Sequence, residues 1–416
     1  MKRKMKKVFC ALAAALLLFA AATTAFAADG GAKTLRFDAD GNFTILHLTD
    51  WHTAYPMPAI QKQYVVEALV AAKPDLVVLG GDMSEASAAD QPAAVREICD
   101  LLIAADAPFV ITFGNHDYLH DLTIDEMFAL YKENGGAYCL SEDEDPALFG
   151  CGTCSIPIYA HDGGKVAYCV YCFDSGCEYK LNFASADPDP AAQSVRSAGE
   201  TIVSNYDSVH PDQIEWYTRR AEELKAGNGG AYVPSVVFQH IIVQEIFDKI
   251  WPAAKESDKT NLMYFDQKTY RMRAIPNLSN IKDGYLMERP CPGYYNYGQL
   301  DAMTRNADVR AVFCGHDHSN SFTVEIDGID IVNTPSVKPH SLFKKIDWGG
   351  RVITLHADGT YESRVLAGCE LAQNSGSGIL SSGAVNRVEL VLLKVWKAFV
   401  DASQRLWKPL TKIIYK

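Results

Sequence analysis

Apolar residues along this chain fall into two alternating patterns, short unbroken runs and helical spacings. The runs are Phe43–Thr49, Pro74–Leu79, Pro108–Phe113, Val233–Phe238 and Val309–Phe313. Near-continuous apolar stretches of that length suit strands covered on both faces. Between them, Gln61–Ala72 sets Val65, Val66, Leu69 and Val70 at helical spacing, and Pro92–Ala105 does so with Val95, Ile98, Leu101, Leu102 and Ile103. Asp125–Asn134 and Asp212–Ala226 are further helix candidates, the second stopping at Gly227-Asn228-Gly229-Gly230. Strand, helix, strand alternation predicts βαβ units and sheets covered by helices, with functional groups beyond the carboxyl ends of the strands.

The two ends depart from this pattern. Lys2, Arg3, Lys4, Lys6 and Lys7 precede an apolar run from Val8 to Ala22, and Ala25-Phe26-Ala27 offers small residues for cleavage. Residues 1–27 therefore read as a signal peptide, which predicts a secreted or cell-envelope protein. At the other end, Gln373-Asn374-Ser375-Gly376-Ser377-Gly378 lies in a flexible linker, 371–385. Residues 386–416 then place Val388, Leu392, Val395, Trp396, Phe399, Leu406, Trp407, Leu410 and Ile414 at helical spacing among lysines and arginines. This basic amphipathic tail either packs on the acidic body or contacts a membrane surface or envelope polymer. Pro409 predicts a break near its end.

Charge narrows the choice of partners. The formal charge is −12, and −17 once the five leader cations are gone. The tail holds seven Lys/Arg against two Asp/Glu, which leaves the body near −22. Such a body does not bind nucleic acid through general electrostatics, and it repels anionic substrates unless something local reverses the field.

Cations would do that, and the sequence supplies ligands for them. Each apolar run is followed by metal-binding side chains: Asp50-Trp51-His52, Gly80-Gly81-Asp82, Gly114-Asn115-His116-Asp117, Gln239-His240 and Gly315-His316-Asp317-His318. Asp50, His52, Asp82, Asn115, His240, His316 and His318 form a mixed oxygen and nitrogen set. It is too rich for one closed structural zinc and suits two neighbouring ions. Asp50 and His52, two apart on an extended segment, point the same way, as do His316 and His318. Two ions about 3.5–4 Å apart would share a hydroxide and hold phosphoryl oxygens, which predicts a phosphoesterase.

These five segments resemble the motifs of the calcineurin-like metallophosphoesterase superfamily, from about Phe43 to Leu366. Phe173-Asp174-Ser175-Gly176, Gln213-x-x-Trp216-Tyr217 and Val312–His318 further resemble the phosphatases related to yeast Dcr2 and the small purple-acid-phosphatase-like proteins. The resemblance implies a four-layer α/β/β/α sandwich of mixed sheets over residues 28–370. It implies Asp50, His52 and His318 on one ion, Asn115, His240 and His316 on the other, and Asp82 bridging. His52 stands where purple acid phosphatases carry a tyrosine ligand, so no tyrosinate colour is expected. The pair of metals stays open between iron, zinc and manganese. His116 is expected to stabilise or protonate the leaving oxygen, and Asp117 either to orient that imidazole or to cap the following segment.

Other features carry weaker expectations. Cys151-x2-Cys154 and Cys169-x2-Cys172 approach zinc-ribbon spacing, but Ser155–Ala160 and Val166–Phe173 read as a hairpin. Residues three apart on a strand face opposite ways, so buried thiols or disulfides fit better. His47 reads as a packed or surface residue, His161 as a turn residue, and His120 and His210 as loop residues. His340 is a late-loop residue that could reach the cleft. The irregular stretch Glu288–Tyr297 either walls the substrate pocket with Arg289, Tyr295 or Asn296, or serves as cover. The leading function is hydrolysis of a small phosphate monoester. A phosphodiesterase acting on nucleotides or lipid headgroups, and a metal- or phosphate-binding protein without turnover, are the alternatives.

Overall fold

The computed structural model describes residues 33–118, 122–177, 193–194, 196–197, 200–201, 206–250, 263–266, 271–274, 276–339, 348–371 and 387–414. The leader, His120, His340 and the linker beyond Leu371 lie outside them.

The five apolar runs are strands, and all five are parallel members of two mixed sheets. In the first sheet β1 (Asn42–Leu48), β2 (Leu76–Gly80) and β3 (Phe109–Thr112) lie side by side, and a late antiparallel hairpin, Gly349–His356 with Tyr361–Ala367, extends it beyond β1. The second sheet has seven strands. Its centre is β4 (Val166–Cys172), β5 (Ser235–Phe238), β6 (Val309–Cys314) and β7 (Ile329–Asn333), all parallel, with antiparallel strands at both edges.

The two-residue period of the strands sorts their side chains into three apolar layers. Phe43, Ile45, Leu76, Val78 and Val110 meet Tyr168, Val170, Cys172, Val236, Phe238, Ala311 and Phe313 between the sheets. Leu46, Leu48, Val77, Leu79 and Ile111 face outward onto helices α1 (Ala59–Ala72), α2 (Gln91–Ala104) and α3 (Ile124–Gly135). On the far side, Cys169, Tyr171, Val237 and Val312 meet α4 (Pro211–Gly227) and α5 (Gln299–Asn306). Helix, sheet, sheet, helix is the expected four-layer sandwich.

The helices also begin and end where local chemistry dictates. A reciprocal capping box, Thr123 with Glu126, starts α3. Lys73, at φ +46° and followed by Pro74, stops α1. The expected core positions of α1 need correction. Val65 and Leu69 are buried, but Val66 and Val70 are 40% and 59% exposed, and Tyr64 and Ala68 complete the apolar face instead. The Pro409 break is absent too, because the helix Arg387–Ile414 continues through the proline.

The hairpin containing the cysteines forms as expected, with Cys154 directly opposite Cys172. Cys169 points into the outer layer and Cys172 between the sheets, so no ion can bridge them. The ten cysteines of the described residues are free thiols, so the disulfides that export would permit are not made.

The inter-sheet layer sets the spacing of the strand ends. Phe238 stacks on Phe313 with centroids 5.1 Å apart and meets the edge of buried His47 at 5.0 Å. Phe238→Ala should destabilise the fold by about 3–5 kcal/mol, read as a lowered denaturation midpoint in urea or on heating.

Candidate metal centre

All five parallel strands that carry motifs end on the same side. There the chain turns sharply: Asp50, His52, Asp82 and His316 adopt φ of +53°, +43°, +55° and +68°. Non-glycine residues avoid that region, and four such residues in one place mark strain that the surrounding structure holds. Backbone pairing supports it. The Asp50 and His52 N–H groups donate to the carbonyls of Gly81 and Asp82, each at 3.0 Å, and the Gly315 N–H donates to the His240 carbonyl at 3.1 Å. Glycine is required at 81, where φ is +91° and a Cβ would sit 2.7 Å from His240 Nδ1.

The side chains converge from both sheets. His52 Nε2 lies 3.0 Å from His318 Nε2, and 3.7 Å from both Asp50 Oδ1 and Asp82 Oδ2. His318 Nε2 is 3.1 Å from Asp50 Oδ1. His240 Nε2 approaches Asp82 Oδ2 at 3.2 Å, and His316 offers a third atom to that group. Four ligands around a cation with bonds of roughly 2.0–2.2 Å are separated by about 3.3–3.6 Å. The observed spacings, 3.0 to 3.7 Å, bracket that separation, and Asp82 is common to both groups of candidate ligands.

Asp50, Asp82 and His240 each spend one polar atom on the protein and leave the other inward. Asp50 Oδ2 accepts from Thr49 Oγ1 at 2.8 Å and from the His316 N–H at 3.0 Å. Asp82 Oδ1 accepts from the His116 N–H at 2.7 Å. His240 Nδ1 lies 2.8 Å from the Gly80 carbonyl, so the Nδ1–H donates and Nε2 keeps its lone pair. The remaining atoms, Asp50 Oδ1, Asp82 Oδ2, Asn115 Oδ1, His240 Nε2 and His316 Nε2, are buried without a hydrogen-bond partner. Buried polar atoms left this way are rare, and their gathering beside two groups of candidate ligands fits a pair of cations.

Charge tells the same story. Burial opposes ionisation of Asp50, yet the His318 and His240 imidazoles outweigh it and hold the carboxyl well below its usual range. Asp82 is held at about 2 against burial, chiefly by His240. Burial would lower His240, but Asp82 and Asp50 lift it to about 10. Without cations, the two carboxylates therefore keep a proton on a ligand, and an entering ion must displace it.

Six of the expected ligands, Asp50, His52, Asp82, His240, His316 and His318, fall into two groups close enough to hold ions, and Asn115 Oδ1 is buried without a hydrogen-bond partner. His116 is half-buried beside them, its ring edge-on to His52 with centroids 4.8 Å apart. Asp117 needs correction. It neither orients the His116 ring nor caps the following segment; its Oδ2 accepts from the N–H groups of Asp82 and Gly114 at 2.8 and 2.9 Å. The tight turn Asn115–Tyr118 rolls this carboxyl back under the strand ends, where burial and the Asp82 charge raise it to about 7. Asp117 is a brace between two motifs.

Residues outside the motifs complete the setting. Glu85 Oε1 stands 3.0 Å from His52 Nδ1, and Lys338 Nζ holds the same carboxylate at 2.6 Å. Ser175 Oγ accepts from the Ile241 N–H at 2.9 Å, steadying the residue after His240. Asp174, raised to about 6 by burial, accepts from Tyr118 Oη at 2.5 Å and anchors the third motif. The Glu288–Tyr297 stretch borders the centre: the Cys291 N–H donates to Asp317, and the Tyr294 N–H to the carbonyl of Tyr206, whose ring stands 4.2 Å from that of His316. Arg289 lies over the Phe247 ring, and Asn296 Nδ2 donates to Glu245 Oε1 at 2.8 Å. His47 is fully buried between the sheets, with Nδ1 2.8 Å from Thr334 Oγ1. His161 lies in the hairpin turn, and His210 precedes α4 beside Asp207.

Residues 43–320 match the family model described as calcineurin-like phosphoesterase, a span that contains every ligand named above. The chain belongs to that family. Among relatives, it is 23% identical over 356 residues to a "Probable inactive purple acid phosphatase 14" of Arabidopsis thaliana, covering 79% of this chain and 78% of that protein. It is 24% identical to "Phosphatase DCR2" of Saccharomyces cerevisiae over 72% of this chain and 48% of that one. Among solved structures it is similar to a dimetal phosphatase from Danio rerio, at 10% identity and a TM-score of 0.43, over 78% of this chain and 99% of that one.

In this calcineurin-like phosphoesterase the Glu85 carboxylate stands 3.0 Å from His52 Nδ1, on the side of the ring away from the Nε2 that meets His318. Nothing in the sequence singles it out except an acidic residue three positions after Asp82. Glu85→Gln should weaken metal binding by about 10–100-fold, measured by competition with a chromophoric chelator, with the denaturation midpoint little changed.

Proposed function

We propose that the protein is an exported, metal-dependent phosphatase acting on small phosphate monoesters. One observation carries the reading: buried polar atoms without hydrogen-bond partners gather at the strand ends, beside the half-exposed imidazole of His116. When bound, two cations would supply positive charge to phosphoryl oxygens and lower the pKa of a water at the site.

The chain's own residues do the rest. The Asp82 carboxylate, held by the His116 N–H, fixes how His116 stands to the shared ligand oxygen. Burial keeps the His116 imidazole below its usual range, while Asp82 pulls it back up. A group so poised can donate a hydrogen bond or a proton to a departing alkoxide. The acidic body would repel a phosphate dianion, so affinity depends on the cations in the cleft. A binder without turnover has no use for this imidazole, and the relative named inactive makes it the feature to test. The basic and apolar start of the chain, ending at Ala25-Phe26-Ala27, supports export.

The test is hydrolysis by metal-reconstituted protein of an aryl monophosphate and the matching bis-aryl phosphate. The monoester should be preferred, and His116→Ala should lower kcat by about 10²–10⁴, most for alkyl leaving groups that need a proton. Preferential cleavage of the diester would replace this reading with a phosphodiesterase. Absence of turnover with zinc, iron and manganese alike would leave a binding protein.

A further inference from the structure

The tail helix, Arg387–Ile414, docks the wrong way round. An amphipathic helix on a globular body normally turns its apolar stripe inward. Here Val391, Val395, Phe399, Ala402, Leu406, Leu410 and Ile413 form one continuous stripe, and it faces solvent: Val395, Leu406 and Ile413 are 63%, 70% and 69% exposed. The face that meets the body makes polar contacts, with Trp396 and Val400 half-buried beside them. Asp401 accepts from the Tyr285 hydroxyl, Lys408 Nζ donates to the Ile281 carbonyl at 3.1 Å, Lys397 lies over the Tyr285 ring, and Thr411 is fully buried. At 100° per residue those positions lie opposite the stripe. They cross one edge of the sandwich, from Lys282–Tyr285 of one sheet to Arg364–Ala367 of the other, over a cavity of about 310 Å³.

We propose that this helix is a peripheral membrane anchor that lies flat on an anionic lipid surface. Charge is the first argument. Lys394, Arg405 and Lys412 are exposed and share one flank of the stripe, and Trp407, 44% exposed, stands on the other. Basic residues and a tryptophan flanking an apolar stripe suit the boundary between headgroups and acyl chains. The spacing is the second. The stripe advances by four, four and three residues, close to the pitch of a straight helix on a flat surface, whereas a left-handed coiled coil with a second copy needs a repeat of seven. No helix of the described residues is long and apolar enough to cross a membrane, so the anchor would lie on the surface. The polar contacts to Tyr285 and Ile281 would hold the acidic body on the side away from the lipid.

Co-sedimentation of the mature chain tests this, with vesicles of phosphatidylcholine alone and of phosphatidylcholine mixed with phosphatidylglycerol. Binding should appear on the anionic vesicles and fall with salt. Leu406→Glu should lower the partition coefficient at least about tenfold, and the pair Lys394→Glu and Lys412→Glu should remove the preference for anionic lipid. Both variants alter exposed side chains, and thermal melting by circular dichroism shows whether each is folded. Equal binding to neutral and anionic vesicles would overturn the proposal. So would a Leu406→Glu variant that still sediments with vesicles, or a dimer by ultracentrifugation that Leu406→Glu dissociates while neither protein binds lipid.

Discussion

Two carboxylates, Asp50 and Asp82, are buried at 0% and 1% exposure and face each other across four imidazoles. An unpaired buried charge is among the costliest features a fold can hold, so these two must be matched. Everything around the centre follows from that constraint. Thr49, the His116 N–H and the His316 N–H satisfy one oxygen of each carboxylate, and the other two oxygens are left for positive charge. Protons on the histidines supply it in part, and cations supply it better because each can be shared by several ligands. Strained turns at Asp50, His52, Asp82 and His316 are the conformational cost, and the inter-sheet core around Phe238 and Phe313 keeps the two sheets in the registration that sustains it.

Much of this was legible in the sequence because two regularities coincide. Strands buried on both faces are written as apolar runs, and metal-binding residue types follow those runs at fixed short distances, so both the parallel sheets and the six Asp and His side chains that gather at their ends could be read without tertiary information. What could not be read was direction. Asp117 sits beside His116 in sequence, but the turn at Asn115–Tyr118 sends its carboxyl back to the N–H groups of Asp82 and Gly114. Glu85 was invisible for the converse reason: its contact with His52 joins segments whose approach only the fold decides. Val66 and Val70 misled because helical spacing alone does not say where the apolar face begins and ends.

The tail shows the same limit from another side. Its periodicity announced an amphipathic helix, yet periodicity does not reveal which face meets the body. Polar contacts from Lys397, Asp401 and Lys408 meet the sandwich edge, and the apolar stripe is left outward. The span that matches the family model, residues 43–320, contains the centre, and the tail lies beyond it.

The central claim is that two cations share the Asp82 carboxylate. X-ray absorption spectroscopy with elemental analysis of the metal-reconstituted chain tests it most directly. The account predicts two ions per chain and a metal–metal scattering path at about 3.5–4 Å, with both the second ion and that path lost in Asp82→Ala. A single ion per chain, or two ions without a metal–metal path, would contradict it.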